Sequence, residues 1–406
     1  MSIEKSKRCT FEIGPIRPPS EGKDSSLLIR ATRNCPWNKC VFCPVYKDKK
    51  FEYRSVDDIK QDIDVVKSMS EELKAASWKM GKGGQITDEV ILSVIQSNTE
   101  VYGDESLERD ERVTRVNCLV NVSNWLASGA KTVFLQDANT LIMRPPELLE
   151  LLRYLKENFP TIERITSYAR AKTAAQRTLE ELKQLHQAGL SRLHVGLESG
   201  SDDVLKESQK GVTAEEQISG GRKIVESGIS LSEYVMPGLG GRKWSESHAR
   251  ESARVLNEID PDFIRIRSLI VGKRMLLQEK VDSGEFQVLT EDEMVDEIRL
   301  FIENLNCNSY VVSDQMSNLL LEVEGQLPQH KQRMLEMIDR YRSLPLDKKL
   351  RFRLHRRLQS FMSVYGELSQ DLDNKVQDAL QSIKDGSSDA ETKVDQAINA
   401  LKGGFI

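Results

Sequence analysis

Three thiols fall within nine residues, Cys35-Pro-Trp-Asn-Lys-Cys40-Val-Phe-Cys43, and this is the densest set of soft metal ligands in the 406-residue chain. A tetrahedral zinc or a cubane iron–sulfur cluster on such a loop wants a fourth ligand. The other cysteines, Cys9, Cys118 and Cys307, stand alone in the sequence. The simplest chemistry is therefore a cluster whose fourth iron keeps an open position for an exogenous ligand. Three other readings compete. In a zinc knuckle two C-x2-C units usually pair, and here only Cys40 and Cys43 form one. The C-x4-C-x2-C spacing is also that of plant-type ferredoxins, with Cys118 or Cys307 closing a two-iron cluster. The third is three thiols that bind nothing.

What carries the loop narrows the choice. Leu27-Leu28-Ile29 reads as the end of a strand just before it, and a helix at Val56 to about Leu73 follows, with Ile59, Ile63, Val66 and Met69 at helical spacing. Trp78 to Arg112 reads as a helical insertion, after which the rhythm is regular. Strands are predicted at 132–136, 164–168, 192–198, 231–236 and 262–267. The helices between them open on Pro145-Pro146 or stop at Gly189 and Gly228. Alternation of this kind predicts an α/β fold, a partial (β/α)6 TIM-like barrel with a mainly helical C-terminal region. Chemistry then belongs at the C-terminal ends of the strands, where the cysteine loop falls. The expected organisation is an extended N-terminal arm over 1–24, a barrel over 25–285 and a helical region over 286–406.

Bulk properties set the context. Charged residues make up 30% of the chain, aromatics 6%, and the net charge is −5, so there is no general attraction to nucleic acid. No apolar run is long enough to span a bilayer, and the first residues lack the apolar core of a signal peptide. These features predict a cytoplasmic protein with no membrane partner, where thiols stay reduced and favour metal over disulfides.

Polar groups past each strand should converge near the loop: Gln136-Asp137-Ala-Asn139, Ser167-Tyr-Ala-Arg170, Glu198-Ser199-Gly200-Ser201 and Pro237-Gly238-Leu-Gly240-Gly241. Taken singly, an Asp or Ser after a strand is more often a helix cap than a catalyst. Together with the loop, Gly196-Leu-Glu-Ser-Gly-Ser201 with Leu205 and Lys210-Gly211, and Met236-Pro-Gly-Leu-Gly-Gly241, they give the chain its likeness. It resembles radical S-adenosylmethionine (SAM) enzymes, in the subgroup sharing the core of the Elongator catalytic subunit and oxygen-independent coproporphyrinogen oxidase. The likeness covers residues 25 to 270, and it departs from the family's C-x3-C-x2-C by one residue between Cys35 and Cys40.

The resemblance implies that Cys35, Cys40 and Cys43 hold a 4Fe-4S cluster and that SAM occupies its open iron. Asp137 and Asn139 would accept from the SAM amino group, and Arg170 would pair with its carboxylate. Glu198, with Ser199, would meet the ribose. Gly238 and Gly240 would let backbone approach the adenine beside Phe42. A mutual salt bridge of Arg170 and Glu198 is the plain alternative. The implied activity is reductive cleavage of SAM to a 5′-deoxyadenosyl radical that takes hydrogen from a substrate, with a flavodoxin- or ferredoxin-type one-electron reductant as partner. The alternative function is a non-catalytic iron–sulfur electron carrier or sensor with a fourth cysteine ligand. The substrate carries no readable motif.

Remaining candidates have plainer readings. His194 reads as a core histidine in mid-strand, and Arg265 and Arg267 as a pair facing an anionic substrate or a rim carboxylate. Asp314, Asn318 and Glu322 read as a barrel-mouth set or a helix cap. The basic run Lys348 to Arg357 suits a solvated helix face, or RNA phosphate.

Overall fold

Leu27–Arg30, the strand that leads into the cysteine loop, buries Leu27 and Ile29 completely and leaves Leu28 and Arg30 half-buried, the period of two that a sheet imposes. The structure is a computed structural model and describes residues 9–16, 18, 25–103, 106 and 108–404. It divides into two units, one of Met1–Asn38, Val45–Val195 and Lys223–Ser230, the other of Lys39–Pro44, Gly196–Arg222 and Leu231–Ile406.

In the first unit Leu27–Arg30 pairs in parallel with Thr132–Gln136, that strand with Arg164–Ala169, and that in turn with the strand beginning at Leu190. Every residue of Thr132–Gln136 is buried, as befits a central parallel strand covered on both faces. The helix Val56–Lys79 starts where the Ser55 hydroxyl accepts from the Asp58 N–H at 3.1 Å, and Pro145–Asn158 opens on its two prolines. The expected insertion holds the helices Asp88–Ser97 and Thr99–Tyr102 and the start of Arg109–Ala127. Two details differ from expectation. The helix expected to stop at Gly189 is two, Ala171–Gln176 and Leu179–Gln187, because Thr178 and Glu181 form a capping box that restarts the chain. Thr32–Arg33 also pairs with Glu52–Tyr53 in antiparallel fashion, a ribbon too short to leave a periodic signal. The described part of the arm lies on the core: Phe11 is buried, the Gly14 N–H donates to Gln136 Oε1 at 2.8 Å, and Gln136 Nε2 returns to the Gly14 carbonyl at 3.1 Å. Residues 1–8, 17 and 19–24 of the arm expected over 1–24 lie outside the described residues.

In the second unit the strand Ser230–Val235 pairs in parallel with Phe263–Ile266, and that strand with Tyr310–Val312; Gly325–Gln326 adds an antiparallel edge. Within this unit the short Tyr-Val-Val segment, with Val311 buried, adds a third parallel strand beside Phe263–Ile266. The boundary placed near 285 stays a proposal about which segments fold alone. Helices Leu346–Tyr365, Gln370–Asp385 and Ala390–Lys402 enclose a core of Leu350, Leu354, Val376, Ile383, Val394 and Leu401.

The basic run on Leu346–Tyr365 is only in part the solvated face read from the sequence. Lys348, Arg351 and His355 are exposed, but Arg353 and Arg357 are 2% and 1% exposed. Arg357 grips Glu291 with Nε at 3.0 Å and Nη2 at 2.7 Å, and donates through Nη1 to the carbonyls of Met316 at 2.7 Å and Asn318 at 3.0 Å. Asn318 in turn donates to the Ile266 carbonyl at 2.9 Å and accepts from the Ser268 N–H at 3.0 Å. Two of the run's arginines are therefore spent inside the fold, Arg357 on Glu291 and the carbonyls of Met316 and Asn318 and Arg353 on Asp292 and Tyr341, while Lys348, Arg351 and His355 stay on a solvated face.

Candidate functional site

The candidate residues of the first unit are Cys35, Asp137, Asn139 and Arg170. Asp137 is fully buried, and its Oδ2 accepts from Arg30 Nε at 2.8 Å and from the Asn34 N–H at 3.0 Å. It thus holds the backbone just before Cys35, while Arg30 also reaches Glu12 at 2.8 Å. Asp137 Oδ1 has no hydrogen-bond partner, and a Cβ on Gly14 would stand 2.3 Å from it, which is why only glycine fits there. Asn139 is fully used locally: its Oδ1 accepts from the Arg170 N–H at 3.1 Å and its Nδ2 donates to Thr173 Oγ1 at 2.9 Å, so it braces the first turn of Ala171–Gln176. The Arg170 guanidinium lies over the Trp37 ring at 5.1 Å, a cation–π contact with a side chain of the cysteine loop itself. Asn38 N–H points at Cys35 Sγ at 3.5 Å. His194 is buried edge-on to the Tyr168 ring at 5.8 Å, the core role read from its mid-strand place.

The second unit holds Cys40, Phe42, Cys43, Glu198, Ser199, Gly238 and Gly240. Val41 fixes the loop, its N–H donating to the Ser208 carbonyl at 3.1 Å and its carbonyl accepting from the Leu277 N–H at 3.0 Å. Val41 and Phe42 pack with Val204, Leu239, Leu269 and Phe286, and Cys40 and Cys43 lie against that cluster. Glu198 sits in the left-handed region at φ 62° and takes Lys210 as its partner at 3.0 Å. The Lys210 ammonium is also 5.8 Å from the Phe42 ring. A Cβ on Gly196 would meet Glu198 Oε1 at 2.2 Å and Lys210 Nζ at 2.9 Å, so a side chain there would displace the pair. Gly238 has φ 86°, and a Cβ on it would be 2.5 Å from Met294 Cε; one on Gly240 would be 3.0 Å from Trp244 Cβ. Glycine is demanded here by the approach of protein side chains.

Some residues of this unit escaped the sequence reading. Lys210 stood in the motif without a role, although its spacing after Glu198 was visible. Glu233 is fully buried and its carboxylate oxygens find no hydrogen-bond partner; burial drives its acidity well below that of a free carboxyl, with Lys210 opposing and Glu198 reinforcing. An acid in the middle of an apolar strand was the signal. His248 and Glu297 lie on helices that no strand-end argument reaches. Arg267 Nη1 donates to Asp314 Oδ1 at 2.9 Å, with Arg265 at 3.8 Å from the same carboxylate, the second of their two readings.

The turn at 198–201 is pressed on the helix Gly241–Ile259. Gly200 N–H donates to Ser252 Oγ at 2.9 Å, and a Cβ on Gly200 would stand 2.3 Å from the Glu251 carbonyl oxygen. Backbone cannot yield as a flexible side chain would, so Gly200→Ala is expected to cost about 1–3 kcal/mol. Thermal unfolding checks this, and an unchanged Tm would contradict the close approach.

The donor set suits an iron–sulfur cluster. None of the six cysteines is in a disulfide, and Cys35, Cys40 and Cys43 are partly exposed. Cys118 is buried and donates to the Phe11 carbonyl at 3.3 Å, with burial pushing its thiol up to about 11. Cys307 is buried and accepts from the Ser309 hydroxyl at 3.4 Å, and burial raises its thiol as well. Thiols so placed are poor ligands. Among the described residues no three His, Cys, Asp or Glu side chains are grouped round a single ion. No helix among the described residues is long and apolar enough to cross a membrane.

Residues 112–252 match the family model described as the radical SAM superfamily, a stretch that begins downstream of the cysteine loop. Two curated relatives are tRNA uridine(34) acetyltransferases. That of Methanocaldococcus infernus is 26% identical over 121 residues and that of Methanocaldococcus jannaschii 25% over 119. Each match takes in 29% of this chain and 22% of the relative, so the chain spans about a fifth of their length. Among solved structures, methylornithine synthase aligns with a TM-score of 0.41 at 12% identity, over 77% of this chain and 68% of that one. The archaeal Methanocaldococcus infernus Elp3 aligns at 0.39 and 16%, over 52% and 53%.

Proposed function

We propose that this chain, which belongs to the radical SAM superfamily, is an enzyme that binds SAM at a 4Fe-4S cluster held by Cys35, Cys40 and Cys43 and turns its reductive cleavage on a substrate. The observation that carries this reading is the three-thiol loop directly after the first parallel strand, ahead of a β/α run that matches the family model. Held by Cys35, Cys40 and Cys43, such a cluster would supply the electron for reductive cleavage of SAM.

The chain's own residues aim and shield that chemistry. Arg170, stacked on Trp37, is the cation for the SAM carboxylate. Asp137, buried with Oδ1 against Gly14, holds the cysteine loop through Oδ2, and Asn139 acts by bracing the backbone of Arg170. Glu198, oriented by Lys210, offers its remaining oxygen to the ribose, with Phe42 beside the same ammonium. Ser199, Gly238 and Gly240 shape the turns. A flavodoxin- or ferredoxin-type reductant in the cytoplasm completes the partners.

Anaerobic reconstitution tests the reading. Four irons per chain and an EPR signal that changes on adding SAM support it, and a two-iron cluster indifferent to SAM would sink it. The competing electron-carrier reading needs Cys118 or Cys307 as fourth ligand, and their burial and hydrogen bonds disfavour it. Arg170→Ala should weaken SAM binding about tenfold or more, the scale of one charge-assisted bond at roughly 1.5–3 kcal/mol. Unchanged affinity would end the ligand role. For the substrate, 5′-deoxyadenosine release should be compared with and without tRNA, because two relatives are named for a tRNA uridine.

A further inference from the structure

Within the second unit, buried polar side chains of two helices reach two strand-end turns. Ser199 Oγ meets His248 Nδ1 at 2.8 Å, and the other ring nitrogen of His248 lies 3.6 Å from Glu297 Oε1, a packing contact longer than a hydrogen bond. That oxygen accepts from the Gly238 N–H at 2.6 Å, and Glu297 Oε2 accepts from the Ser245 hydroxyl. Ser199, His248 and Glu297 are 0%, 1% and 3% exposed.

Serine, histidine and carboxylate in this order resemble a nucleophile with its base. The burial excludes that role, since no substrate carbonyl can reach Ser199 Oγ, which already accepts from the Ser201 N–H at 3.1 Å. What these side chains do join is two strand ends. Ser199 belongs to the turn after Leu190–Glu198, and Gly238 to the turn after Ser230–Val235. His248 comes from the helix Gly241–Ile259 and Glu297 from Glu291–Asn304. The same helix face takes the first turn at two more points, Gly200 N–H to Ser252 Oγ and Ser201 Oγ to Ser247 Oγ at 3.2 Å. The second turn has a non-helical backbone, with Gly238 at φ 86° and Gly241 at φ 55°, and a buried carboxylate is what satisfies its leading amide.

We propose that His248 and Glu297 are positioning residues that lock the 198–201 turn and the 237–241 turn at a fixed separation, and that this separation sets the affinity for SAM. The inference rests on the proposal that these turns hold SAM. An unsatisfied Gly238 amide would let the glycine turn relax, and a lost imidazole would free the Ser199 hydroxyl and the Glu198 backbone next to it. Both turns would persist in a folded protein while their spacing drifted, and binding loses sharply when contact geometry is off by an ångström.

The test is a SAM titration of the reconstituted, reduced full-length chain, read by the EPR change of the cluster. Glu297→Leu and His248→Leu should raise the half-saturating SAM concentration about tenfold, the scale of one buried hydrogen bond to a charged group. Glu297→Gln keeps a carbonyl for the Gly238 N–H and should stay within about threefold of the parent, a rescue that a merely space-filling role would not require. Should the leucine variants fail to fold, Ser199→Ala carries the test, with an expected loss of about threefold to tenfold. A parent that responds to SAM while Ser199→Ala and the folded leucine variants titrate like it overturns the positioning role alone, as does Glu297→Gln being as impaired as Glu297→Leu. A parent indifferent to SAM overturns the reading of the site, and the positioning role falls with it.

Discussion

Alanine at Cys35, Cys40 or Cys43 should abolish SAM cleavage and strip most of the iron from the reconstituted protein, whereas Cys118→Ala and Cys307→Ala should keep four irons per chain. The contrast follows from environment. The first three thiols share one loop and are partly exposed; the other two are buried and hydrogen-bonded, and burial raises both. A residue that only supports a metal ligand costs about 10–100-fold in metal affinity when removed, and loss of a thiolate itself goes beyond that. Iron analysis with 5′-deoxyadenosine quantified by chromatography checks the expectation. Full iron content in Cys40→Ala, or its loss in Cys307→Ala, would transfer the cluster to a different ligand set.

Arg357→Ala is expected to destabilise the fold by about 3–5 kcal/mol, the usual cost of leaving one member of a buried ion pair alone. Glu291 is buried, and removing the guanidinium leaves it with Lys402 at 2.7 Å while the carbonyls of Met316 and Asn318 lose their donor. Replacing Arg357 and Glu291 together by methionine and leucine should cost far less, because only the partly exposed Lys402 then loses a partner. The pair also carries an acid dependence. Burial opposes ionisation of Glu291, yet Lys402 and Arg357 outweigh it and hold the carboxyl at about 2, below the ordinary 4.5. A carboxyl lowered on folding stabilises fully above its ordinary value and loses that contribution as pH falls toward its folded value. The shift corresponds to about 3 kcal/mol, lost between about pH 4.5 and 2. Denaturant midpoints across that range check it, and Glu291→Gln should flatten this part of the profile.

Much of the architecture lay open in the chain. Period-two burial at Leu27 and Ile29, the proline start at 145 and the Gly189 and Gly228 stops are local signals, and local signals place strands and helices one after another. They missed what depends on partners. The two-residue ribbon of Thr32–Arg33 with Glu52–Tyr53 has no period to read, and Tyr310–Val312 becomes a parallel strand only through its pairing with Phe263–Ile266. A capping box at Thr178 split one expected helix into two.

By itself the sequence determined the chemistry on offer: three thiolates on one loop after a strand, followed by a β/α rhythm that puts polar residues at strand ends. Such information is contiguous and survives in a linear string. Only the tertiary structure decided which charges are spent on holding the fold. Arg357 looked solvated and is buried against Glu291, Asp137 anchors the cysteine loop through Arg30 and Asn34, and His248 and Glu297 meet across 49 positions. A charge's role follows from what desolvates and pairs it, and those partners come from distant segments that only folding brings within hydrogen-bond reach.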